Sequence, residues 1–153
     1  MDAARAQEIA VRLHAGDAEE NGTPLLWHLM RVASSTPAEA RAVAWLHEAL
    51  ESASISEQEL LGDGLTTDEL RALRLLTRAS DSRSDSVYLA HVELIARAAG
   101  GSGELARTVK LADLEDRRDH PRARADGWTP PYERGLERLQ EASQFTLTRL
   151  AVG

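Results

Sequence analysis

Ala42-Val43-Ala44-Trp45-Leu46-His47-Glu48-Ala49-Leu50-Glu51 is the stretch of sequence that decides the fold. Its apolar residues leave a helix apolar on nearly every side, a pattern typical of a helix enclosed by other helices. The apolar spacing elsewhere is also helical, with few β-branched runs and no alternating stretch typical of a strand. The sequence therefore predicts an all-α protein, a bundle of about seven or eight helices with this segment at its centre.

Turn and capping residues divide the rest of the chain into further helices. Ser34-Ser35-Thr36-Pro37 ends the helix before the central segment and begins the central one, while Gly100-Gly101-Ser102-Gly103 is a strong break. Polar residues over 80–86 indicate a loop. The remaining predicted helices span about 3–16, 24–35, 57–61, 66–76, 87–99, 104–118 and 131–151. We expect the last of them to pack back on the bundle through Tyr132, Leu136, Leu139, Leu147 and Leu150.

Length and composition limit the class of protein. With 153 residues and 42% hydrophobic content, the chain suits one domain over 1–153 with its own core. No apolar run reaches 18 residues and no basic-then-apolar leader begins the chain, so we expect no membrane insertion and a cytoplasmic protein. The absence of cysteine leaves only nitrogen and oxygen ligands for a metal. A net charge of −7 speaks against long DNA or RNA, although a local basic patch can hold a small phosphorylated ligand.

Imidazoles and carboxylates occur in three segments that are otherwise apolar and helical. These segments are Pro24-Leu25-Leu26-Trp27-His28, Trp45 to Glu51, and Val109-Lys110-Leu111-Ala112-Asp113. Charged side chains are almost never fully buried unless they are paired or bound to a cation. The three segments together indicate a buried site for a divalent metal. The alternative is a helix that surfaces along one edge, with His47 a hydrogen-bonded core histidine and Glu48 and Glu51 solvated.

The order of these residues resembles that of the HD-domain metal-dependent phosphohydrolases, specifically the RelA/SpoT-type and small alarmone hydrolases. His14-Ala15-Gly16 is similar to the family's His-x-Gly motif, and 22–28 to its Gly-x-Pro-Tyr-Ile-x-His. Further similar stretches are Arg31-Val32-Ala33, Leu76-Thr77-Arg78, Tyr88 through Arg97, and Val-Lys-Leu-Ala-Asp at 109–113. The resemblance is strongest over about 8–119, and the combined order is more specific than any single motif.

The resemblance implies a helical domain that holds one divalent ion, Mn²⁺ above all, through His28, His47, Glu48 and Asp113. It implies that Glu51, with Glu48, takes part in activating the attacking water. Lys110, Arg117 and Tyr88 are then candidates for binding the substrate. For Lys110 and Arg117 the alternative is a solvated basic side chain on a helix surface. The expected substrate is a small phosphorylated ligand, most simply a nucleotide.

The chain also departs from the family pattern. The family's His-Asp pair is His47-Glu48 here, whose extra methylene moves the carboxylate outward by about 1.5 Å. Ser52 stands where the family has Asp, and Arg117 where it often has Asn. Glu19-Glu20 replaces the basic pair that contacts guanine in alarmone hydrolases, and Leu25 replaces the Tyr of Pro-Tyr-Ile. Because carboxylates cannot stack on a purine as arginine does, the base pocket for (p)ppGpp is altered.

Three hypotheses follow. The first is a phosphohydrolase that cleaves a phosphate or pyrophosphate ester of a nucleotide or similar anion. The second is a catalytically weakened HD-fold protein that binds a ligand or partner, which a pairing of Glu48 with Arg117 would favour. The third is an acidic helical bundle without a site. Oligomeric state stays open.

The other histidines and the tryptophans receive simpler interpretations. We expect His14 to support the cleft rather than bind metal, and His91 and His120 to be surface or cap residues. Trp27 and Trp45 should anchor the core. The sequence indicates no role for Trp128.

Overall fold

The helices of the protein follow one another with short connections in the computed structural model, which describes residues 1–51, 54–78, 84–121 and 128–151, with side chains up to 145 in the last range. The chain is all-helical as predicted: no strand occurs in these ranges, and an isolated bridge pairs Ala18 with Pro24. The α-helices within them are α1 (Ala3–His14), α2 (Leu25–Ser35), α3 (Arg41–Leu46), α4 (Glu57–Gly62), α5 (Thr67–Leu76), α6 (Asp85–Arg97), α7 (Gly100–Asp119) and α8 (Pro130–Ala151).

Helix α3 lies at the centre, as its sequence predicts. It packs against α1, α2, α5 and α7, and five of its residues, Ala42 to Leu46, are buried. The long helix α7 contacts α2 and α5 on one side and α6 and α8 on the other. Together these helices enclose one hydrophobic core that includes Leu29, Leu46 and Leu114. The three segments expected to carry the metal ligands therefore meet where α2, α3 and α7 face one another.

The central helix ends earlier than its apolar pattern predicts. Only Arg41–Leu46 is α-helical, and short 3₁₀ turns precede it at Ala38–Ala40 and follow it at Ala49–Glu51. At this point the Nδ1 atom of His47 lies 2.7 Å from the Ala44 carbonyl oxygen and donates to it. A side chain that uses a helix carbonyl competes with the backbone ladder, which accounts for the break. His47 and Glu48 consequently lie in a turn rather than within a helix.

The glycine run at 100–103 is not the break that the sequence predicts, because α7 begins at Gly100. The first amides of a helix have no intrahelical acceptor, so residues with low helix propensity are tolerated there. Gly103 is required for a second reason, since a Cβ at this position would overlap the backbone carbonyl of Ala98. The glycines therefore allow α6 and α7 to meet at a sharp corner.

Several smaller predictions can be checked. Trp45 is 9% exposed and belongs to the core, but Trp27 is 53% exposed, so its assignment to the core was wrong; it lies on the outer face of α2. Leu136 and Leu139 of α8 are buried as expected. The described residues do not include Ser52 or most of the loop at 80–86, and they do not include the side chains of Leu147 and Leu150. Among the described helices, none has both the length and the apolar character needed to cross a membrane.

Candidate metal centre

Three buried side chains from three separate segments converge as the sequence predicts. His28 comes from α2, His47 from the turn after α3, and Asp113 from α7, and their exposures are 1%, 5% and 1%. The Nε2 atom of His28 lies 3.3 Å from Nε2 of His47 and 3.2 Å from Oδ1 of Asp113. The same Asp113 oxygen is 3.8 Å from Nε2 of His47. This group can hold a metal ion, because each residue offers a ligand atom to a common point.

The hydrogen bonds made by the other ring nitrogens determine which atoms face that point. Nδ1 of His47 donates to the Ala44 carbonyl, and Nδ1 of His28 donates to Oδ2 of Asp116 at 2.7 Å. A neutral imidazole that donates through Nδ1 carries a lone pair on Nε2. His47, which is neutral, therefore presents a lone pair on Nε2 towards Nε2 of His28 and the carboxylate oxygen of Asp113. A metal ion placed among these three atoms could bind all of them.

The spacing of these atoms suits a first-row divalent metal. Ligand atoms about 2.1 Å from such an ion are about 3 to 3.5 Å apart in tetrahedral or octahedral geometry. Two of the three separations fall in this range and the third is slightly longer. Two imidazoles and a carboxylate, without sulfur, form a donor set that suits borderline metals such as Mn²⁺ or Zn²⁺. The residues present thus fit a metal, and its identity stays a proposal.

The charges around the centre favour the forms that bind a cation. Burial, only partly opposed by Asp113 and Glu48, lowers the pKa of His47 to about 4 and so keeps its imidazole neutral at pH 7. Burial alone would raise the pKa of Asp113, but Arg117 and Lys110, with the two imidazoles, hold it well below its usual range. Asp113 is therefore an ionised carboxylate inside the bundle.

Glu48 lies beside the three converging groups. Its Oε1 atom is 3.8 Å from Nε2 of His28 and 3.7 Å from Nε2 of His47. The same oxygen is 3.8 Å from Nη2 of Arg117. Glu48 is therefore about equally distant from the two imidazoles and the guanidinium. The group whose ligand atoms converge closely enough to hold a metal ion consists of His28, His47 and Asp113, so Glu48, also expected as a ligand, lies beside this group rather than within it.

Lys110 and Arg117 are not the solvated residues of the simpler interpretation, since both bind Asp113. Nζ of Lys110 donates to Oδ2 at 2.7 Å, and Nε of Arg117 donates to Oδ1 at 2.8 Å. Burial would lower the pKa of Arg117, but Asp113 and Glu48 raise it above its usual value. The Oδ1 atom held by Arg117 is the same atom that faces the imidazoles.

Asp116 and Arg31 form a supporting pair that sequence reasoning did not assign. Arg31 clamps Asp116 through Nε to Oδ1 at 2.6 Å and Nη2 to Oδ2 at 3.0 Å, and Asp116 in turn orients His28. Burial alone would raise the pKa of Asp116, but His28 and Arg31 lower it to about 2. The signal available in the sequence was the Asp113-x-x-Asp116 spacing, which places both carboxylates on adjoining faces of one helix.

The remaining candidates for catalysis and substrate binding are Glu51 and Tyr88. Glu51 is exposed, in the 3₁₀ turn after Glu48, and within the described ranges its side chain makes no hydrogen bond or ion pair with His28, His47 or Asp113. Tyr88 is partly buried, and burial together with the charge of Asp113 raises the pKa of its phenol. Its hydroxyl is enclosed without a hydrogen-bond partner among the described residues.

The remaining histidines lie outside the three converging groups. His14 is buried and bonds to Asp17 at 2.7 Å, and so supports the turn that leads into α2. His91 is partly buried rather than on the surface, and its Nε2 atom lies 2.8 Å from the Leu75 carbonyl oxygen. His120 lies at the end of α7, with Nδ1 3.2 Å from Oδ1 of Asp116.

Comparison with known proteins gives no family for the chain: no family model matches the sequence, and no curated protein matches it. The case for a function therefore depends on the residues and their geometry.

Proposed function

We propose that the protein is a metal-dependent phosphohydrolase of the HD-domain type, which cleaves a phosphate or pyrophosphate ester of a nucleotide or similar small anion. The observation that carries the proposal is the convergence of two imidazole Nε2 atoms and an ionised carboxylate on one buried point. The motif order around His28, His47 and Asp113 adds support, because it is the order in that family. Mn²⁺ is the proposed ion.

Each candidate residue has a proposed role. A bound divalent ion acts as a Lewis acid and lowers the pKa of its water. His28, His47 and Asp113 bind it, and Glu48 closes one side of the site. Lys110 and Arg117 are the cationic side chains next to the centre, and cations of this kind suit phosphate oxygens. Glu51 is the proposed base that takes the proton from the attacking water, and Tyr88 the proposed hydroxyl donor to the substrate.

A second candidate is a catalytically weakened protein that retains the fold and binds a ligand or partner. The observation that favours it is the position of Arg117, whose guanidinium binds Asp113 at 2.8 Å and lies 3.8 Å from Glu48. An internal cation at this place competes with a metal for the same oxygens. Metal content and phosphate release separate the two candidates.

The first experiment compares metal content in the wild type and in His47→Ala after both are dialysed against Mn²⁺ and then against metal-free buffer. We expect about one ion per chain in the wild type and almost none in the variant, since removing one ligand of a chelated ion costs most of its affinity. His91→Gln is the matched control, because His91 is a partly buried histidine outside the three converging groups, with its Nε2 atom on the Leu75 carbonyl. Equal metal content in the wild type and His47→Ala would end the metal assignment.

The second experiment measures phosphate and pyrophosphate release from a panel of nucleotides, including (p)ppGpp, by the Mn²⁺-loaded protein. We expect turnover that Glu51→Gln lowers by about 10²-fold or more, the usual contribution of a general base. His47→Ala should abolish it. A protein that binds metal but releases phosphate from no member of the panel would favour the binding module instead.

A further inference from the structure

A concave region lies where the end of α6, the start of α7 and the middle of α8 meet. It is an open depression of about 750 Å³ whose lining residues do not include any of the metal-centre residues. Small side chains, among them Ala96, Ala98 and Ala142, form its apolar part. Phe145 stands at its edge with 76% of its surface exposed. The size is within the range typical of small-molecule sites.

Arg107 is the unusual residue of this depression. It is only 9% exposed, and its Nη1 atom donates to the backbone carbonyl of Ala98. In the described part of the chain, no carboxylate forms a salt bridge with it. Buried charges in proteins are normally paired with an opposite charge. A guanidinium has five N–H donors, so most of its capacity stays available to an anion from outside.

The other two arginines of the depression are already paired. Arg97 and Arg138 also line it, and both bind the same carboxylate, Glu93, at 2.5 and 2.7 Å. Glu104 is a further acidic group in the lining, and the charge of Glu141 also acts on Arg138. The three arginines and three glutamates balance, so Arg107, which has no carboxylate partner among the described residues, is the group left to pair with an anion.

We propose that this depression binds a small organic carboxylate with an apolar body, such as an aryl carboxylate. Its carboxylate pairs with the guanidinium of Arg107, whose planar fork matches two carboxylate oxygens. Its apolar body lies between the alanines and the ring of Phe145, and so removes an exposed aromatic surface from water. The site is separate from the metal centre and does not depend on it.

The test is a titration of the EDTA-treated protein with 4-fluorobenzoate, followed by ¹⁹F NMR, so that no metal can bind the carboxylate. We expect saturable binding with a dissociation constant of about 1 mM or below, and no saturable binding of the neutral 4-fluorobenzyl alcohol. Arg107→Gln should weaken binding about tenfold or more, because it removes a charge-assisted pair.

Phe145→Ala keeps the test decisive even if Arg107→Gln unfolds, because Phe145 is exposed and its loss should leave the fold intact. We expect it to weaken binding about threefold to tenfold through lost apolar contact. Leu94→Ala is the matched control: Leu94 is 60% exposed on α6 and is not part of the lining, so its binding should equal that of the wild type. Non-saturable binding by the wild type, equal binding by Phe145→Ala, or equal binding of the alcohol would overturn the proposal.

Discussion

The two carboxylate oxygens of Asp113 contact different partners. Oδ2 binds Lys110, whereas Oδ1 lies 2.8 Å from Arg117 and 3.2 Å from the nearer imidazole, that of His28. Replacing one partner of a buried charge cluster changes what the others can bind. The affinity for the proposed metal ion should therefore depend on Arg117 as well as on His28, His47 and Asp113.

Arg117→Asn tests the competition between Arg117 and a metal ion for Asp113, and it also introduces the residue that often stands here in the HD-domain family that the sequence resembles. Removing the guanidinium frees Asp113 Oδ1 and takes away a positive charge next to the metal centre. We expect the affinity for Mn²⁺ to rise about tenfold, in line with about 1.5 kcal/mol for a hydrogen bond between charged groups. Isothermal titration calorimetry measures it.

Arg118→Asn is the matched control for that change. Arg118 is the next residue on α7, it is largely exposed and it pairs with Asp119. Its replacement should leave the Mn²⁺ affinity unchanged. Weaker binding by Arg117→Asn than by the wild type would show that Arg117 supports the metal centre instead of competing with it.

The sequence was sufficient to find the three converging ligands and insufficient to find what holds them. His28, His47 and Asp113 are polar residues in apolar helices, and burial makes such residues conspicuous. Arg31 and Asp116 are charged residues near helix surfaces, where charge is ordinary. Only the packing of α2 against α7 reveals that Asp116 orients His28.

At the scale of secondary structure, the corner between α6 and α7 depends on a single missing side chain. The glycine run at 100–103 indicated a break in the sequence, yet α7 begins within it. Helix propensity takes no account of contacts with other parts of the fold. Glycine is needed at position 103 because a Cβ there would overlap the nearby Ala98 carbonyl. This contact between two elements could not be predicted from local pattern.

Gly103→Ala should therefore destabilise the protein although alanine is the better helix former. Overpacking of this kind costs about 1 to 3 kcal/mol, which lowers the melting temperature by about 5 °C in a protein of this size. Thermal unfolding followed by circular dichroism measures the change. Gly62→Ala, at the end of α4 with open space around it, should not lower the melting temperature. Equal melting temperatures for Gly103→Ala and the wild type would contradict the close approach.

The pairing of α6 with α8 predicts a pH-dependent contribution to stability. Arg138 of α8 and Arg97 of α6 lower the pKa of Glu93 to about 2. A glutamate side chain in an unfolded chain has a pKa of about 4.3. The stabilisation is therefore fully present above that value and is lost as the pH falls towards 2.

Glu93→Gln should melt a few degrees below the wild type at pH 7, and the difference should shrink as the pH falls below about 4. Glu137→Gln, which removes an exposed carboxylate from α8, is the control and should follow the wild type at each pH. Thermal melts between pH 7 and pH 2.5 provide the comparison. A difference that stays constant over this range would rule out ionisation of Glu93 as the cause.

At the scale of the whole molecule, the positive charges of Lys110 and Arg117 bear on whether the protein needs a metal to fold. Both already compensate the buried Asp113, and the core formed by α1, α2, α3, α5 and α7 is continuous around the centre. Small zinc domains differ, because metal binding supplies most of their folding energy. We therefore expect this bundle to be folded with or without its ion.

Treatment with EDTA should leave the helical circular dichroism spectrum and a cooperative melt intact. Adding Mn²⁺ to about 100 times its dissociation constant should stabilise the native state by about 2.7 kcal/mol and raise the melting temperature accordingly. The rise should be absent in His47→Ala. Loss of helical structure on chelation would show that the ion is structural.

The early end of α3 has a consequence for anyone who engineers this chain. The carbonyl of Ala44 orients His47 because the helix stops at Leu46; a helix continued past this point would use that carbonyl for the amide of residue 48. Substitutions that extend α3 to gain thermostability would therefore turn the imidazole away from its partners. A longer α3 would therefore raise the helical content and lower the affinity for the proposed metal ion.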